Sequence, residues 1–312
     1  MKITYSIIAP IYNEIDNLPE LYRRVKEVMD ASNETWELIL VDDGSTDGST
    51  DKIRELAKQD KTIRPVIFAR NFGHMVAITA GWDYARGDAV VIIDADLQDP
   101  PEVILELAKK WKEGYEVVYA VRSEREGETW FKKVTASLFY RIIYKITDVK
   151  IPVDTGDFRL MDRKVVNVLK QMKERHRFPR GMSAWVGFKQ IGVTYKRAAR
   201  TAGVTKYPFN KMLRLALNAV TSFSYFPLQV ATFFGFISAG VAILAIPLVI
   251  VLRIAGSHFF EGQTTTLISV LFLGGVQLIS LGILGEYIGR LYDEAKGRPL
   301  YIVREEPEDT DN

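Results

Sequence analysis

Asp94-Ala-Asp-Leu-Gln-Asp-Pro-Pro-Glu102 follows directly on the apolar run Ala89–Ile93, and this stretch determines how the chain is interpreted. The apolar run predicts a buried strand, and the two prolines end it. The strand therefore delivers the side chains of Asp94, Asp96 and Gln98 to its carboxyl end. Hard oxygen ligands of this kind suit Mg2+ or Mn2+, which bind through one or two carboxylates and the phosphates of a substrate. The expected ligand is a metal-bound diphosphate.

Outward from this stretch, strand-like and helix-like segments alternate up to Ala120. The predicted strands are Ile3–Ala9, Trp36–Val41, Ile63–Phe68, Ala89–Ile93 and Glu116–Ala120, and the predicted helices are Leu18–Met29, Ser49–Gln59, Met75–Tyr84 and Val103–Glu113. This order predicts an α/β fold with a mostly parallel, doubly wound, Rossmann-like sheet. Ligands of such sheets lie beyond the carboxyl ends of the strands, where Pro10–Glu14, Asp42–Ser45 and Asp94–Asp99 fall.

Composition excludes several kinds of protein. The chain has 312 residues, no cysteine and a formal net charge of only +2, so disulfides and thiolate metal sites are excluded and no nucleic-acid partner is expected. The short apolar run after Lys2 leads into Pro10, which is typical of a first strand and not of a cleavable signal. Gly-x-Gly-x-x-Gly and Gly-x-x-x-x-Gly-Lys-Ser/Thr motifs are missing, so the usual dinucleotide and P-loop sites are not expected.

Two segments near the C-terminus contain no charged residue, Phe226–Leu252 and Thr264–Gly285. Their lengths predict two transmembrane helices joined as a hairpin by the short connection Arg253–Gln263; the alternative is a pair of buried core helices. Cationic residues flank the outer ends of the pair, namely Lys206, Lys211, Arg214, Arg290, Lys296, Arg298 and Arg304. By the positive-inside rule, both termini and the first domain face the cytoplasm from the inner (plasma) membrane.

These patterns give a domain order. The predicted parts are a cytoplasmic catalytic domain over 1–208, a juxtamembrane amphipathic helix over 209–225, the two membrane helices over 226–285 and a cytoplasmic tail over 286–312. Within the first domain, 129–146 is a second amphipathic and basic helix. Both amphipathic helices are interpreted as lying on the cytoplasmic leaflet, with packing against the sheet as the alternative.

Further motifs match a known family. Ile8–Glu14, Val41–Thr46, Arg70–Gly73, Ala80-Gly81, Ala85–Asp88 and Asp94–Glu102 resemble the family 2 glycosyltransferases of GT-A fold. The later motifs Asp154–Leu160, Arg200–Tyr207, Gly285–Arg290 and Gly297–Val303, together with the two spans, are similar to the polyisoprenyl-phosphate glycosyltransferases related to dolichol-phosphate-mannose synthase. Bacterial members of that group glucosylate undecaprenyl phosphate. The resemblance covers nearly the whole chain.

The resemblance implies roles for individual residues. It assigns the nucleoside or nucleotide sugar to Pro10, Tyr12, Glu14, Asp42 and Asp94, the metal and diphosphate to Asp94, Asp96 and Gln98, the reacting centre to Asp96 and Asp157, and the acceptor phosphate to Arg122, Lys133, Ser137, Arg200 and Lys206. From the residues alone, Asp42 is equally well a turn former or helix cap, as are Asp43, Ser45 and Asp47. His74, His176 and His258 are scattered and are interpreted as structural or solvated.

The resemblance implies an inverting transfer of a hexose, with glucose from UDP-glucose the expected donor, to undecaprenyl or another polyprenyl phosphate. An acceptor phosphate has a second pKa near 6 and is already an anion at neutral pH, so charge repulsion is the main obstacle. Each unlike-charge contact at about 4 Å offsets roughly 4 kcal/mol at an effective dielectric of about 20. Asp157 is either a base or a residue that orients Arg159 or a sugar hydroxyl.

Alternatives remain open at this point. A GDP-mannose or other nucleotide-sugar donor fits the same motifs, and so does a nucleotide-sugar-binding scaffold without catalysis. A processive polysaccharide synthase is disfavoured because the chain has no Gln-x-x-Arg-Trp pentapeptide. The segment Arg298–Arg304 is expected to add a strand to a neighbouring subunit, which makes a homotetramer the expected assembly.

Overall fold

The computed structural model describes residues 2–123, 155–196, 224–255 and 263–307. These residues divide between two compact units. One unit contains a sheet with its surrounding helices and includes the C-terminal strand; the other contains two long helices. The predicted amphipathic helices, 129–146 and all but the last two residues of 209–225, lie outside the described residues.

The elements of both units occur in the following order. The strands are β1 (Tyr5–Ile11), β2 (Trp36–Asp42), β3 (Ile63–Phe68), β4 (Ala89–Ile92), β5 (Val117–Arg122), β6 (Thr155–Asp162), β7 (Gln190–Tyr195) and β8 (Val303–Glu305). The helices are α1 (Leu18–Asp30), α2 (Ser49–Gln59), α3 (His74–Tyr84), α4 (Val103–Lys112), α5 (Arg163–Gln171), α6 (Pro179–Trp185), α7 (Phe226–Ile254) and α8 (Gln263–Ala295). All of the strands and helices predicted up to Ala120 are present, with small shifts at their ends.

The strands form one sheet in the order β7-β5-β6-β4-β1-β2-β3-β8. Its centre is parallel, because β1 pairs with β2 and β4, and β2 with β3, in parallel register. Strand β6 runs antiparallel to both β4 and β5, and β7 is again parallel to β5. The α/β class and the mostly parallel sheet are therefore confirmed. The reversed strand β6 lies beyond the segments that the sequence analysis assigned.

The sheet is covered on both faces, as the apolar strand sequences predict. Alternate residues of β1 and β2 point to opposite faces, and residues such as Ile7 and Leu38 belong to a core cluster with Leu21 of α1 and Leu107 of α4. Helix α3 packs against β1 and β2 from the opposite face. This helix begins at the edge of the sheet where the candidate site lies, so its packing places the residue at its first position.

The C-terminal strand β8 pairs antiparallel with β3, with Val303 opposite Phe68. Tyr301 stacks on the Phe68 ring at a centroid distance of 5.1 Å and donates a hydrogen bond to Asp83 Oδ2 at 2.8 Å. The segment that was expected to add a strand to a neighbouring subunit here covers the open side of β3 in its own sheet. Its pairing with a neighbouring subunit and the homotetramer both stay predictions.

Helices α7 and α8 contain two candidate membrane spans, Phe226–Leu252 and Ile268–Ala295. Both are long and apolar enough to cross a bilayer, and their described side chains are exposed or half-exposed. The alternative of buried core helices therefore does not hold for the described part of the chain. Helix α8 continues past Gly285 to Ala295, so the tail predicted from residue 286 begins within a helix.

The close packing of α3 on β1 generates a test. A Cβ at Gly81 would clash with Ile8 Cγ2, so we expect Gly81→Ala to lower the free energy of unfolding by about 2 kcal/mol through overpacking. Ile8→Ala removes the clashing methyl group, and Gly81→Ala should therefore cost less in that background. Thermal unfolding of the four proteins measures both effects. Equal costs in the two backgrounds would contradict the close approach.

Candidate active site

The candidate site lies at the edge of the sheet that is formed by the carboxyl ends of its parallel strands. The register of β6 brings residues that are distant in sequence together there. Ile92 of β4 pairs with Arg159 of the antiparallel β6, and two further steps along that register set Asp94 opposite Asp157. On the other side of β6, β5 ends at Arg122, which pairs with Tyr195 of β7. The carboxyl ends of β1, β2, β4, β5 and β7 all meet at this edge.

Asp42 ends β2 and is fully buried. Its carboxylate accepts hydrogen bonds from Ser45 N at 2.9 Å and from Thr50 Oγ1 at 2.5 Å. These bonds close the turn that connects β2 to α2, which is the turn-forming alternative that the sequence left open. Nucleoside binding by Asp42 stays a prediction, and it requires that the carboxylate serve both the turn and the ligand.

The loop after β1 is tied to the loop after β2. Ser45 Oγ accepts from Asn13 N at 3.0 Å, and Asn13 Oδ1 accepts from Thr46 N at 2.8 Å. Around this junction, Tyr12 is 42% exposed, whereas Pro10 is buried within β1. Glu14 accepts a hydrogen bond from Asn17 Nδ2 at 2.7 Å. Of the residues assigned to the nucleoside, Tyr12 therefore offers the most accessible surface.

Successive residues of the segment after β4, from Asp94 to Asp99, alternate in exposure. Asp94, Asp96 and Gln98 are partly exposed, while Ala95, Leu97 and Asp99 between and after them are buried. Leu97 holds a positive φ of 58°, and Gln98 N donates to Asp96 Oδ1 at 3.2 Å, so the segment forms a tight turn. The three predicted metal and diphosphate ligands are therefore all partly accessible at this turn.

The donor set at this turn fits a hard divalent cation. Asp94 Oδ1 is buried and has no hydrogen-bond partner among the described residues. Burial raises the pKa of Asp94 to about 6, His74 opposes the rise, and the charges of Asp99, Asp157 and Asp96 add to it. A bound cation would satisfy that oxygen. Over the described ranges, no group of three or more His, Asp or Glu side chains is gathered for a metal, so the protein alone offers an incomplete ligand shell.

Asp157 is almost completely buried, with 3% of its side chain exposed. Arg180 of α6 binds it with two hydrogen bonds, Nε to Oδ1 at 2.8 Å and an Nη to Oδ2 at 2.9 Å. Burial alone would raise the pKa of Asp157, but Arg180 and His74 outweigh burial and hold that pKa well below its usual value. The orienting role predicted for Asp157 thus has Arg180 as its partner, and the sequence analysis did not single out Arg180.

Arg159 was predicted to be oriented by Asp157, and its hydrogen bonds go to groups other than the Asp157 carboxylate. Its guanidinium donates to the backbone oxygens of Gly156 and Asp157 and to Ser183 Oγ. Burial, with a further contribution from the charge of Arg180, lowers the pKa of Arg159 to about 10, while Asp157 opposes the change. Arg159 therefore fixes the backbone that carries the Asp157 side chain.

His74, the first residue of α3, lies between two carboxylates. Its Nε2 is 3.6 Å from Asp94 Oδ1 and 3.6 Å from Asp157 Oδ2. Burial would lower the pKa of His74, but Asp157 and Asp94 outweigh it and raise the pKa to about 9. The interpretation of His74 as a scattered, structural or solvated histidine overlooked this position. The only signal was its place beside Arg70–Gly73.

Arg122 also reaches this edge. Its Nε donates to Tyr195 Oη at 3.4 Å, and Tyr195 donates to the buried Asp99. A Cβ at Gly156 would lie 2.8 Å from an Nη of Arg122, so the guanidinium rests against the backbone next to Asp157. Burial would lower the pKa of Arg122, but Tyr195 and Asp99 outweigh burial and raise it. Of the predicted acceptor-phosphate residues, the other four, Lys133, Ser137, Arg200 and Lys206, lie outside the described residues.

Comparisons with known proteins match this chain to glycosyltransferases. Residues 6–169 match the family described as "Glycosyl transferase family 2". The chain is 53% identical over 302 residues to the uncharacterized glycosyltransferase YkcC of Bacillus subtilis, covering 97% of this chain and 94% of that protein. It is 44% identical over 306 residues to the bactoprenol glucosyl transferase of Shigella phage SfV, covering 98% of this chain and 99% of that protein.

Solved structures that match this chain include a mannosyltransferase from Pyrobaculum calidifontis in complex with GDP-Man and Mn2+. It is 19% identical to this chain, with a TM-score of 0.47, and the match covers 90% of this chain and 88% of that one.

The pairing of Arg180 with Asp157 gives a stability prediction. Arg180→Ala would remove both guanidinium hydrogen bonds from a buried carboxylate, so we expect the free energy of unfolding to fall by about 3 kcal/mol. Chemical denaturation measures the loss. The matched control is Arg54→Ala, which breaks a half-exposed pair with Glu305 and should cost about 1 kcal/mol or less. Similar losses for the two variants would contradict the buried pairing.

Proposed function

The chain belongs to glycosyl transferase family 2, and on that premise we propose that it transfers glucose from UDP-glucose to undecaprenyl phosphate or a similar polyprenyl phosphate. The observation that carries the proposal is the 44% identity, over nearly the full length of both chains, to a bactoprenol glucosyl transferase. The enzyme has the GT-A-like α/β fold, with a mostly parallel sheet whose carboxyl edge holds the candidate site. The product is a polyprenyl-phosphate sugar for modification of cell-envelope glycans.

The donor half of the proposed site lies at the ends of β1, β2 and β4. The joined loops after β1 and β2 hold the nucleoside beside Tyr12, Glu14 and Asp42. Asp94, Asp96 and Gln98 then hold Mg2+ or Mn2+, which when bound neutralises charge on the leaving diphosphate. The support for this assignment is that the buried Asp94 Oδ1 has no hydrogen-bond partner among the described residues and that all three side chains are partly accessible.

The acceptor half of the proposed site needs positive charge in place of a strong base. The acceptor oxygen is already an anion at neutral pH, and it approaches an electrophilic carbon beside a charged diphosphate. Arg122, held by Tyr195 and Asp99, offers a guanidinium beside Gly156 for the acceptor phosphate. Lys133, Ser137, Arg200 and Lys206 remain proposed partners of that phosphate. Direct displacement by the phosphate oxygen inverts the anomeric centre.

Asp157 in this proposal orients groups and does not accept a proton. Arg180 occupies both of its oxygens and lowers its pKa, which makes the carboxylate a weak base at neutral pH. Its negative charge keeps Arg180 fixed at the site, where part of that side chain is exposed. The rate advantage then comes from preorganised charges around the diphosphate and the acceptor phosphate.

The lipid acceptor accounts for the two long apolar helices. We propose that Phe226–Leu252 and Ile268–Ala295 anchor the enzyme in the inner (plasma) membrane with both termini in the cytoplasm. The proposed domain order is 1–208 as the catalytic domain, 209–225 as the juxtamembrane helix, 226–285 as the membrane hairpin and 286–312 as the cytoplasmic tail, whose first residues continue helix α8 to Ala295. A homotetramer remains the proposed assembly.

Transfer assays with purified full-length protein test the proposal. In detergent with a short-chain polyprenyl phosphate, we expect UDP-glucose to give more turnover than GDP-mannose or UDP-N-acetylglucosamine. Equal or greater turnover with GDP-mannose would favour the mannosyl alternative. If no nucleotide sugar in the panel supports turnover while UDP still binds, the scaffold alternative is correct and the proposed transfer is wrong.

Metal dependence is tested separately. EDTA should abolish transfer, and added Mn2+ or Mg2+ should restore it. Asp96→Asn removes one ligand charge and should lower kcat by about 100-fold or more. Asp51→Asn, a matched change at a surface carboxylate of α2 that is 82% exposed, should leave kcat unchanged. Full activity in EDTA, or normal turnover by Asp96→Asn, would exclude the assigned metal role.

A further inference from the structure

The proposed function assigns no role to His74, yet its side chain lies between a carboxylate of the donor half and the carboxylate at the reacting centre. Asp94 belongs to the donor half at the end of β4, and Asp157 belongs to the start of β6. These carboxylates repel each other, and His74 Nε2 lies 3.6 Å from an oxygen of each. One side-chain nitrogen therefore lies between the carboxylate assigned to the metal and the carboxylate assigned to the reacting centre.

The two residues that precede His74, Phe72 and Gly73, are held by the side chain of Asp43, and this places His74. The buried carboxylate of Asp43 accepts hydrogen bonds from Phe72 N at 2.6 Å and Gly73 N at 2.9 Å. Gly73 has a φ of +105°, a conformation that L side chains rarely adopt. A Cβ at Gly73 would meet no described atom within 4 Å, so the backbone conformation, and not lack of space, requires glycine here. Asp43 was expected to be a turn former, but its side chain holds the loop after β3.

We propose that His74 is a positioning residue that sets the separation of Asp94 and Asp157, and that Asp43 places it through Gly73. The loop after β2, which the proposed function assigns to the nucleoside, is then connected through Asp43, Gly73 and His74 to the carboxylate beside the reacting centre. The inference rests on the proposed function for its kinetic test, and a stability measurement tests it independently.

The first test compares two side chains of similar volume at position 74. Glutamine keeps an N–H donor at the place of Nε2, whereas methionine fills the space without one. We expect His74→Met to lower kcat by about 30-fold or more with donor KM changed less than about threefold, and His74→Gln to stay within about fivefold of wild type. His176→Gln, at an exposed histidine, is the control for the chemical change and should match wild type.

The kcat values of the two variants distinguish a positioning role of His74 from a space-filling role. A positioning role predicts that glutamine rescues kcat and methionine does not. A space-filling role predicts that both variants are active, and His74→Met with more than about a third of the wild-type kcat would overturn the proposal. Equal losses for glutamine and methionine, or a loss confined to donor KM, would overturn it too.

The second test uses a pair of glycines with the same backbone requirement. Gly73 and Gly114 have φ values of +105° and +94°, and a Cβ at either would meet no described atom within 4 Å. Gly73→Ala and Gly114→Ala should therefore lower Tm by similar amounts, since both strain the backbone. Only Gly73→Ala should lower kcat, by about tenfold or more, because Gly114 follows α4 away from the site. Equal effects of the two variants on kcat would overturn the link through Gly73.

The third measurement does not require activity. His74→Met should lower Tm in the wild-type protein, and it should lower Tm by less than half as much in an Asp157→Ala background, where the side chain beside His74 Nε2 is already gone. Equal Tm losses in both backgrounds would overturn the proposal. If wild-type protein transfers no sugar from any donor, the proposed function fails, and this cycle still decides the role of His74.

Discussion

Carboxylates gathered at one edge of the sheet must be balanced by cations, and the arrangement of the site follows from this requirement. Asp94, Asp99 and Asp157 lie close enough for their charges to interact. Two like charges about 4 Å apart oppose folding by roughly 4 kcal/mol at an effective dielectric near 20. Arg180 binds Asp157, Arg122 reaches Asp99 through Tyr195, and His74 lies between Asp94 and Asp157. These three cations offset part of the repulsion, and the raised pKa of Asp94 shows that the charges of the other carboxylates still act on it.

The reversed strand β6 makes the balance possible. It enters the sheet between β4 and β5, so residues at its beginning face the carboxyl ends of both neighbours. The chain thereby brings Asp157 to Asp94 on one side and Gly156 to Arg122 on the other. Within the part of the sheet that the structure describes, the remaining open side of β3 is covered by β8, which returns from the end of α8. Pairing of that edge also protects it from other strands.

Local sequence patterns predicted the first half of the fold and the donor carboxylates. The segments that form β1 to β5 are apolar and rich in β-branched residues, and the motif at Asp94–Glu102 is contiguous in sequence. Both can therefore be recognised from neighbouring residues alone. The contacts of Asp157 with Arg180 and His74 are different, because they join residues 23 positions apart and residues on separate strands and helices. Such contacts depend on strand order and direction, which hydrophobic periodicity does not contain. The same limit explains why the pairing of β8 with β3 was not predicted.

The central claim is that Asp157 is an anion held by Arg180 and His74, and so a positioning group with little capacity to take a proton near neutral pH. The direct test is a carbon-13 NMR titration of aspartate carboxyl groups in the metal-free, full-length protein, with the Asp157 signal assigned from Asp157→Asn. We expect Asp157 to stay ionised from about pH 7 down to about pH 4.5, since its pKa lies well below the usual value. A protonation midpoint between about pH 5 and pH 7 would contradict the account and make Asp157 a candidate base.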